Sequence, residues 1–204
     1  TYTVFNGAAD STPGLDFGED ISGSGCVPDN HTFNISNFQN NLPNTIYVLS
    51  INDGSNDATF SHPPPTQYTH TFTTPSCDTI GNGSSSFYSA TIEAISACAL
   101  YIGTDSVIGV KTIILSPIFI EKPPIADFEI APDDVICVSA DVITFTSTST
   151  PGSYVDGGCK SDIRYEWTIS PTSGYTLTSG MLTNPEFSAT FSTPGNYDVT
   201  LTVE

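Results

Sequence analysis

Apolar and polar residues alternate along much of this chain. The clearest run is the last: Tyr197, Val199, Leu201 and Val203 alternate with Asp198, Thr200, Thr202 and Glu204. A period of two gives a strand with one buried and one wet face. Thr193-Pro194-Gly195-Asn196, just before it, is turn chemistry, with Pro presetting φ and Gly permitting a positive one. A Tyr that opens a strand after a tight corner fits the tyrosine corner of β-sandwiches, whose hydroxyl bonds back to upstream backbone. Helical periodicity is weak throughout. Short alternating runs broken by Gly, Pro, Asn and Ser predict an all-β chain.

The runs repeat. The second half reads ADFEIAPDDVIC, VITFTSTS, IRYEWTIS and PEFSATFSTPGNYDVTLTVE; the first reads LDFGEDISGSGC, HTFNISN, TIYVLSINDG, TQYTHTFTTPSC and SFYSATIEAI. Asp16-Phe17 matches Asp127-Phe128, Cys26 matches Cys137, and Phe33 matches Phe145. Tyr47 matches Tyr165, Phe72 matches Phe191, and Tyr88 matches Tyr197. Landmarks kept in order at a fixed offset mark a tandem repeat. Glu121-Lys122-Pro123-Pro124 lies between the copies, and its two prolines hold a link extended. The expected organisation is a leader or end of a preceding module at 1–14, domain 1 at 15–121, a Pro-rich linker at 122–125 and domain 2 at 126–204. The first copy has a closing strand near Gly109–Leu115 with no equivalent in the second. Domain 2 is therefore expected to lack its last strand, with the natural chain continuing.

Composition narrows the partners. Four Lys and Arg oppose 22 Asp and Glu in 204 residues, giving a net charge of −18 and a pI near 4.1. Such a chain repels phosphate backbones and anionic lipid, which argues against nucleic acid and direct membrane insertion as partners. There is no apolar run of membrane-spanning length, and TYTVFNGAAD does not read as a signal peptide, so a targeting signal is expected outside this stretch. Five Cys in a β-rich, Lys-poor chain favour disulfides and an oxidising, secreted or cell-surface location.

One set of residues resembles a known family. Phe191-x-x-Pro194-Gly195-x-Tyr197-x-Val199-x-Leu201-x-Val203, with Tyr165-x-Trp167, is similar to the PKD domain. The resemblance implies two tandem Ig-like β-sandwiches. In the first copy, Tyr47 and Asn52-Asp53-Gly54 resemble the family's Tyr-x-Trp-x-Phe-Gly-Asp-Gly with the Trp and first Gly changed. The second copy keeps the Trp and has Ser170-Pro171-Thr172-Ser173-Gly174 in place of that turn. The connector Lys122 to Phe128, with a Cys in each copy, resembles PKD arrays in secreted Bacteroidota proteins, among them gliding-motility adhesins exported by type IX secretion. That likeness implies O-glycosylation at Asp-Ser/Thr-aliphatic or Thr signals, which occur at Ser11, Thr79 and Ser106.

Chemistry-bearing residues are few. His31, His62 and His70 come without a nucleophile elbow or an oxyanion-type Gly motif, so no catalysis is expected. Asn52-Asp53-Gly54-Ser55-Asn56-Asp57 packs oxygens into a short loop, which makes Asn52, Asp53 and Asp57 candidate calcium ligands. A solvated turn is the competing reading, and Asp133-Asp134 is a weaker candidate. Trp167 reads as the buried strand aromatic of a sandwich in preference to a sugar platform, and Tyr88 and Tyr197 read as structural core. Asn30-His31-Thr32, Asn34-Ile35-Ser36 and Asn82-Gly83-Ser84 are N-glycosylation sequons.

In a sandwich of this type the second and sixth strands run parallel, which places Cys26 and Cys77 at one end. Cys98 closes the sixth strand about 25 Å away, and a disulfide needs Cα atoms within about 7 Å. Cys26–Cys77 is the expected bridge and Cys77–Cys98 the runner-up, with the partner of Cys159 beyond the sequence.

The expected role is a non-catalytic extracellular module, a repeat segment of a long adhesin or surface filament. Its partners would be neighbouring repeats, surface polysaccharide or other surface proteins. The alternatives are an accessory pair of a secreted glycan- or protein-degrading enzyme, and a carbohydrate-binding module. An exposed row of aromatics on one sheet face would favour such a module, but the sequence offers Tyr175, Phe60 and Tyr154 only in expected loops.

Overall fold

A computed structural model describes residues 12–19, 24–77, 87–102, 106–132, 135 and 141–204. The chain forms two compact units, Thr1–Glu121 and Lys122–Glu204. Among the described residues all regular structure is strand.

In unit 1, β1 (Asp16–Glu19), β3 (Asp29–Ser36) and β6 (Gln67–Phe72) form a three-stranded sheet in the order β1-β3-β6. β2 (Ser24–Cys26), β4 (Ile46–Ile51), β5 (Ala58–Ser61), β7 (Tyr88–Ile102) and β8 (Ser106–Glu121) form a second sheet, ordered β2-β8-β7-β4-β5. Alternation decides which side chains meet between them. Phe33 and Ile35 face inward from β3, Tyr47 and Leu49 from β4, Ala90 and Ile92 from β7, and all are buried. Phe72 stacks on Tyr88 at 5.1 Å between ring centroids, one ring from each sheet.

Unit 2 repeats this with β9 (Phe128–Ala131), β10 (Val142–Ser147), β14 (Tyr175–Gly180) and β15 (Glu186–Phe191) in the order β14-β15-β10-β9. Facing it, β13 (Tyr165–Ser170) pairs with β16 (Asp198–Val203). A small hairpin, β11 (Tyr154–Val155) and β12 (Cys159–Lys160), lies between β10 and β13 in sequence. Trp167 is 2 % exposed and meets Phe187 edge-on at 5.1 Å, while Phe187 stacks on Phe145 at 4.8 Å. Its indole N–H donates to the Asn184 carbonyl at 2.9 Å, so its polar atom is satisfied inside the core.

The repeat extends to pairing register. Phe17 opposes Ile35 as Phe128 opposes Ser147, each partner lying two residues beyond the matched Phe33 or Phe145. Phe33 opposes Tyr68 as Phe145 opposes Phe187. Tyr47 opposes Ala94 as Tyr165 opposes Val203.

The units differ in one strand. After the Tyr47 strand, β5 stays beside β4, whereas its counterpart in order, β14, crosses to the other sheet and pairs with β15. The first unit's closing strand is also longer than the expected Gly109–Leu115: β8 covers Ser106–Glu121. Register shifts between Tyr88 and Ala90 and between Ile95 and Leu100 let the β7–β8 pairing continue as one long ribbon.

The Pro-rich link belongs to unit 2's fabric instead of hanging free. Lys122 and Ser153 exchange backbone hydrogen bonds at 2.9 and 2.8 Å, and Ile125 and Thr150 exchange two at 3.0 Å. Gly152 makes this approach possible, because a Cβ there would run into the Lys122 carbonyl and Pro124.

Candidate functional site

Ionisable side chains meet where β3 pairs with β6 in unit 1. His31 and His70 are direct cross-strand partners on β3 and β6, both on the inward face. His31 is 7 % exposed; its Nε2 lies 2.6 Å from Glu19 Oε2 and its Nδ1 lies 3.4 Å from Asp29 Oδ2. His70 Nε2 lies 2.6 Å from Asp53 Oδ2. Phe72 packs edge-on against both imidazoles, with centroids 5.9 Å from His31 and 4.7 Å from His70. The third histidine, His62, offers Nδ1 to the Tyr47 hydroxyl at 3.0 Å. Asn41 donates to that hydroxyl at 2.7 Å and to the Gly14 carbonyl at 2.8 Å, binding the chain before β1 to β4. These contacts join strands, and the hydroxyl that meets an imidazole in them is the Tyr47 phenol.

The proposed calcium loop falls within this network. Asp53 accepts from the Ser55 amide at 2.9 Å and from His70, and Asn52 Oδ1 accepts from the Ser89 amide at 2.7 Å. Burial pushes the Asp53 carboxyl up, but the Ser55 hydrogen bonds and the His70 imidazole outweigh it and hold it below the ordinary Asp range. Asp57 is exposed. Among the described residues no group of three or more His, Cys, Asp or Glu is placed to hold a metal ion. The Asn52 and Asp53 side-chain oxygens are engaged in closing the turn; Asp133 and Asp134 lie outside the described residues.

Both tyrosine corners form. Tyr197 donates to the Gly174 and Thr193 carbonyls at 3.1 and 3.0 Å, and Tyr88 to those of Thr74 and Pro75 at 3.2 and 3.3 Å. Gly174, at φ +89°, is required there, since a Cβ would strike the Tyr197 hydroxyl. Tyr88 is fully buried, but Tyr197 is half-buried and not the core residue expected.

The cysteines depart from expectation. Cys77 and Cys159 are disulfide-bonded, while Cys26 and Cys98 are free thiols. Cys26–Cys77 and Cys77–Cys98 are both overturned, and so is the assignment of the Cys159 partner to a place beyond the sequence. Cys26 does reach the expected end, opposite Glu121, near Ile120, whose carbonyl accepts from the Ser76 amide. The alternation of β2 turns the Cys26 side chain to solvent, whereas Cys77 faces inward. Cys98 lies within β7, its amide tied to Ser96 Oγ at 3.2 Å. Cys137 lies outside the described residues, as do Ser11 and Thr79, and nothing can be described for the Ser106 side chain.

Phe60 packs against Tyr68 and the unit 1 core, and Tyr175 against Phe191 and the unit 2 core. The Tyr154 hydroxyl donates to Asp162 at 3.1 Å. Among the described residues no aromatic side chain is exposed, so these three form no sugar-stacking row. Sequence reasoning missed the His–carboxylate pairs. Their signal was an ionisable residue at an inward position of a strand, which needs a buried partner. No helix among the described residues is long and apolar enough to cross a membrane.

No protein-family model matches this chain, and no curated protein matches it significantly.

Proposed function

We propose that this chain is a non-catalytic extracellular module: two PKD-type sandwiches serving as a segment of a long cell-surface adhesin or filament of the gliding-motility type. The observation that carries this reading is the repeat of pairing register between two units that each bury their own core. Modules of that kind add length without needing a neighbour's core, as a stalk requires. The acidic charge, the disulfide and the inward commitment of the ionisable side chains agree with a structural role outside the cell. Neighbouring repeats, surface polysaccharide or other surface proteins would be the partners. The test is twofold. The purified chain is assayed on glycan, ester and peptide substrates, and its binding to whole cells is compared with that of a carrier protein. Saturable cell binding without turnover supports the proposal; hydrolysis abolished by His31→Gln or His70→Gln would overturn it.

A further inference from the structure

We propose that Asp156, in the Asp156-Gly157 turn of unit 2, is a modification site where aspartate converts spontaneously to isoaspartate, and that Lys160 restrains the conversion. Independently of the functional reading, the two Asp-Gly pairs of the described residues carry it, because the fold treats them differently.

The reaction begins with the Gly157 amide nitrogen attacking Cγ of the protonated Asp156 carboxyl. A C–N bond closes a cyclic succinimide, and the amide proton and the side-chain hydroxyl leave together as water. Water then reopens the ring. Opening at the side-chain carbonyl restores aspartate; opening at the main-chain carbonyl leaves the chain running through Cβ and Cγ as isoaspartate. The water lost in the first step is regained in the second, so no other reactant is needed. Ring closure requires a carboxyl free to turn onto the next amide, and a next residue with no side chain in its way.

Asp53-Gly54 meets only the second condition. Asp53 Oδ1 accepts from the Ser55 amide at 2.9 Å and Oδ2 lies 2.6 Å from His70 Nε2, with 12 % of the side chain exposed. Turning onto the Gly54 amide would break both contacts. Asp156-Gly157 meets both conditions. The Asp156 side chain is 70 % exposed at the tip of the β11–β12 hairpin. Gly157 has φ +65°, and a Cβ built on it or on Gly158 would stand in open space. The product adds a methylene to the backbone of this turn, and that space admits it.

One contact opposes the reaction. Lys160 Nζ donates to Asp156 Oδ2 at 2.6 Å and holds the carboxyl below the ordinary Asp range, in the charged form that resists attack. Both partners are exposed, so solvent screens the pair and the carboxyl is released.

The test incubates the full chain for several weeks at neutral pH and body temperature. Isoaspartate is then located by peptide mapping with an isoaspartyl-specific carboxyl methyltransferase as probe. Asn6-Gly7 and Asn82-Gly83 can reach isoaspartate by loss of ammonia and lie outside the described residues, so each site is read separately. We expect Asp156 to convert at least about tenfold faster than Asp53. Lys160→Met should raise the Asp156 rate and leave Asp53 unchanged, and in denaturant the difference between the two sites should collapse. Equal rates at the two sites in the folded chain, or a difference that persists in denaturant, would overturn the proposal. An Asp156 rate untouched by Lys160→Met would overturn the role given to Lys160.

Discussion

Trp167 stands directly across the ladder from Leu201, in the pairing that Leu49 makes with Ile92 in the first unit. The same place between the same two strands is filled by an indole in one copy and an isobutyl group in the other. The larger ring lets unit 2 build its core around one residue, touched by Phe128, Phe145 and Phe187. Unit 1 spreads the same task over Phe33, Tyr47, Phe72 and Tyr88.

Trp167→Ala should therefore destabilise unit 2 by about 3–5 kcal/mol, through lost transfer energy and a residual cavity. Chemical denaturation followed by NMR would read each unit separately. A loss under about 1 kcal/mol would mean that Trp167 does not organise this core.

Tyr88→Phe and Tyr197→Phe keep the rings and remove the corner hydroxyls. Each should cost about 0.5–1.5 kcal/mol, with Tyr88 the more damaging because its carbonyl partners lie in more buried surroundings. Thermal melting of the single variants checks the order, and a larger loss for Tyr197→Phe would contradict it.

Acid should weaken unit 1 through Asp53. Its carboxyl titrates below its unfolded value, so its contribution is present above about pH 3.9 and is lost as pH falls through the lower folded value. Asp53→Asn should lower stability at neutral pH and reduce the difference between neutral pH and pH 2. Parallel pH profiles for wild type and variant would refute this assignment. Because Asn52 and Asp53 already accept from Ser89, Ser55 and His70, melts in calcium and in chelator should superimpose.

Alkylation of the native protein without reduction should label Cys26 and Cys98 and leave Cys77 and Cys159 oxidised. The exposed Cys26 should react faster than the half-buried Cys98. Peptide mapping by mass spectrometry distinguishes the two pairs, and recovery of Cys26 in the oxidised fraction would contradict the structure.

Period-two alternation, turn residues and the order of matched aromatics were readable along the chain, because each depends on neighbours a few residues apart. They determined that the protein is all-β and that Phe33 matches Phe145, Tyr47 matches Tyr165 and Tyr88 matches Tyr197. The pairing registers honour each of those matches. What remained depends on groups distant in sequence. Whether β5 and β14 join the same sheet or opposite ones depends on which edge offers free backbone, and alternation is the same for either edge. Cys26 arrives at the end where Cys77 lies, yet the pleat turns its thiol outward, a side-chain direction that strand order alone leaves open. The pairing of His31 with Glu19 and of His70 with Asp53 needed three strands and a turn to converge. Local pattern sets which face a residue occupies; only the packed sheets decide which partner waits there.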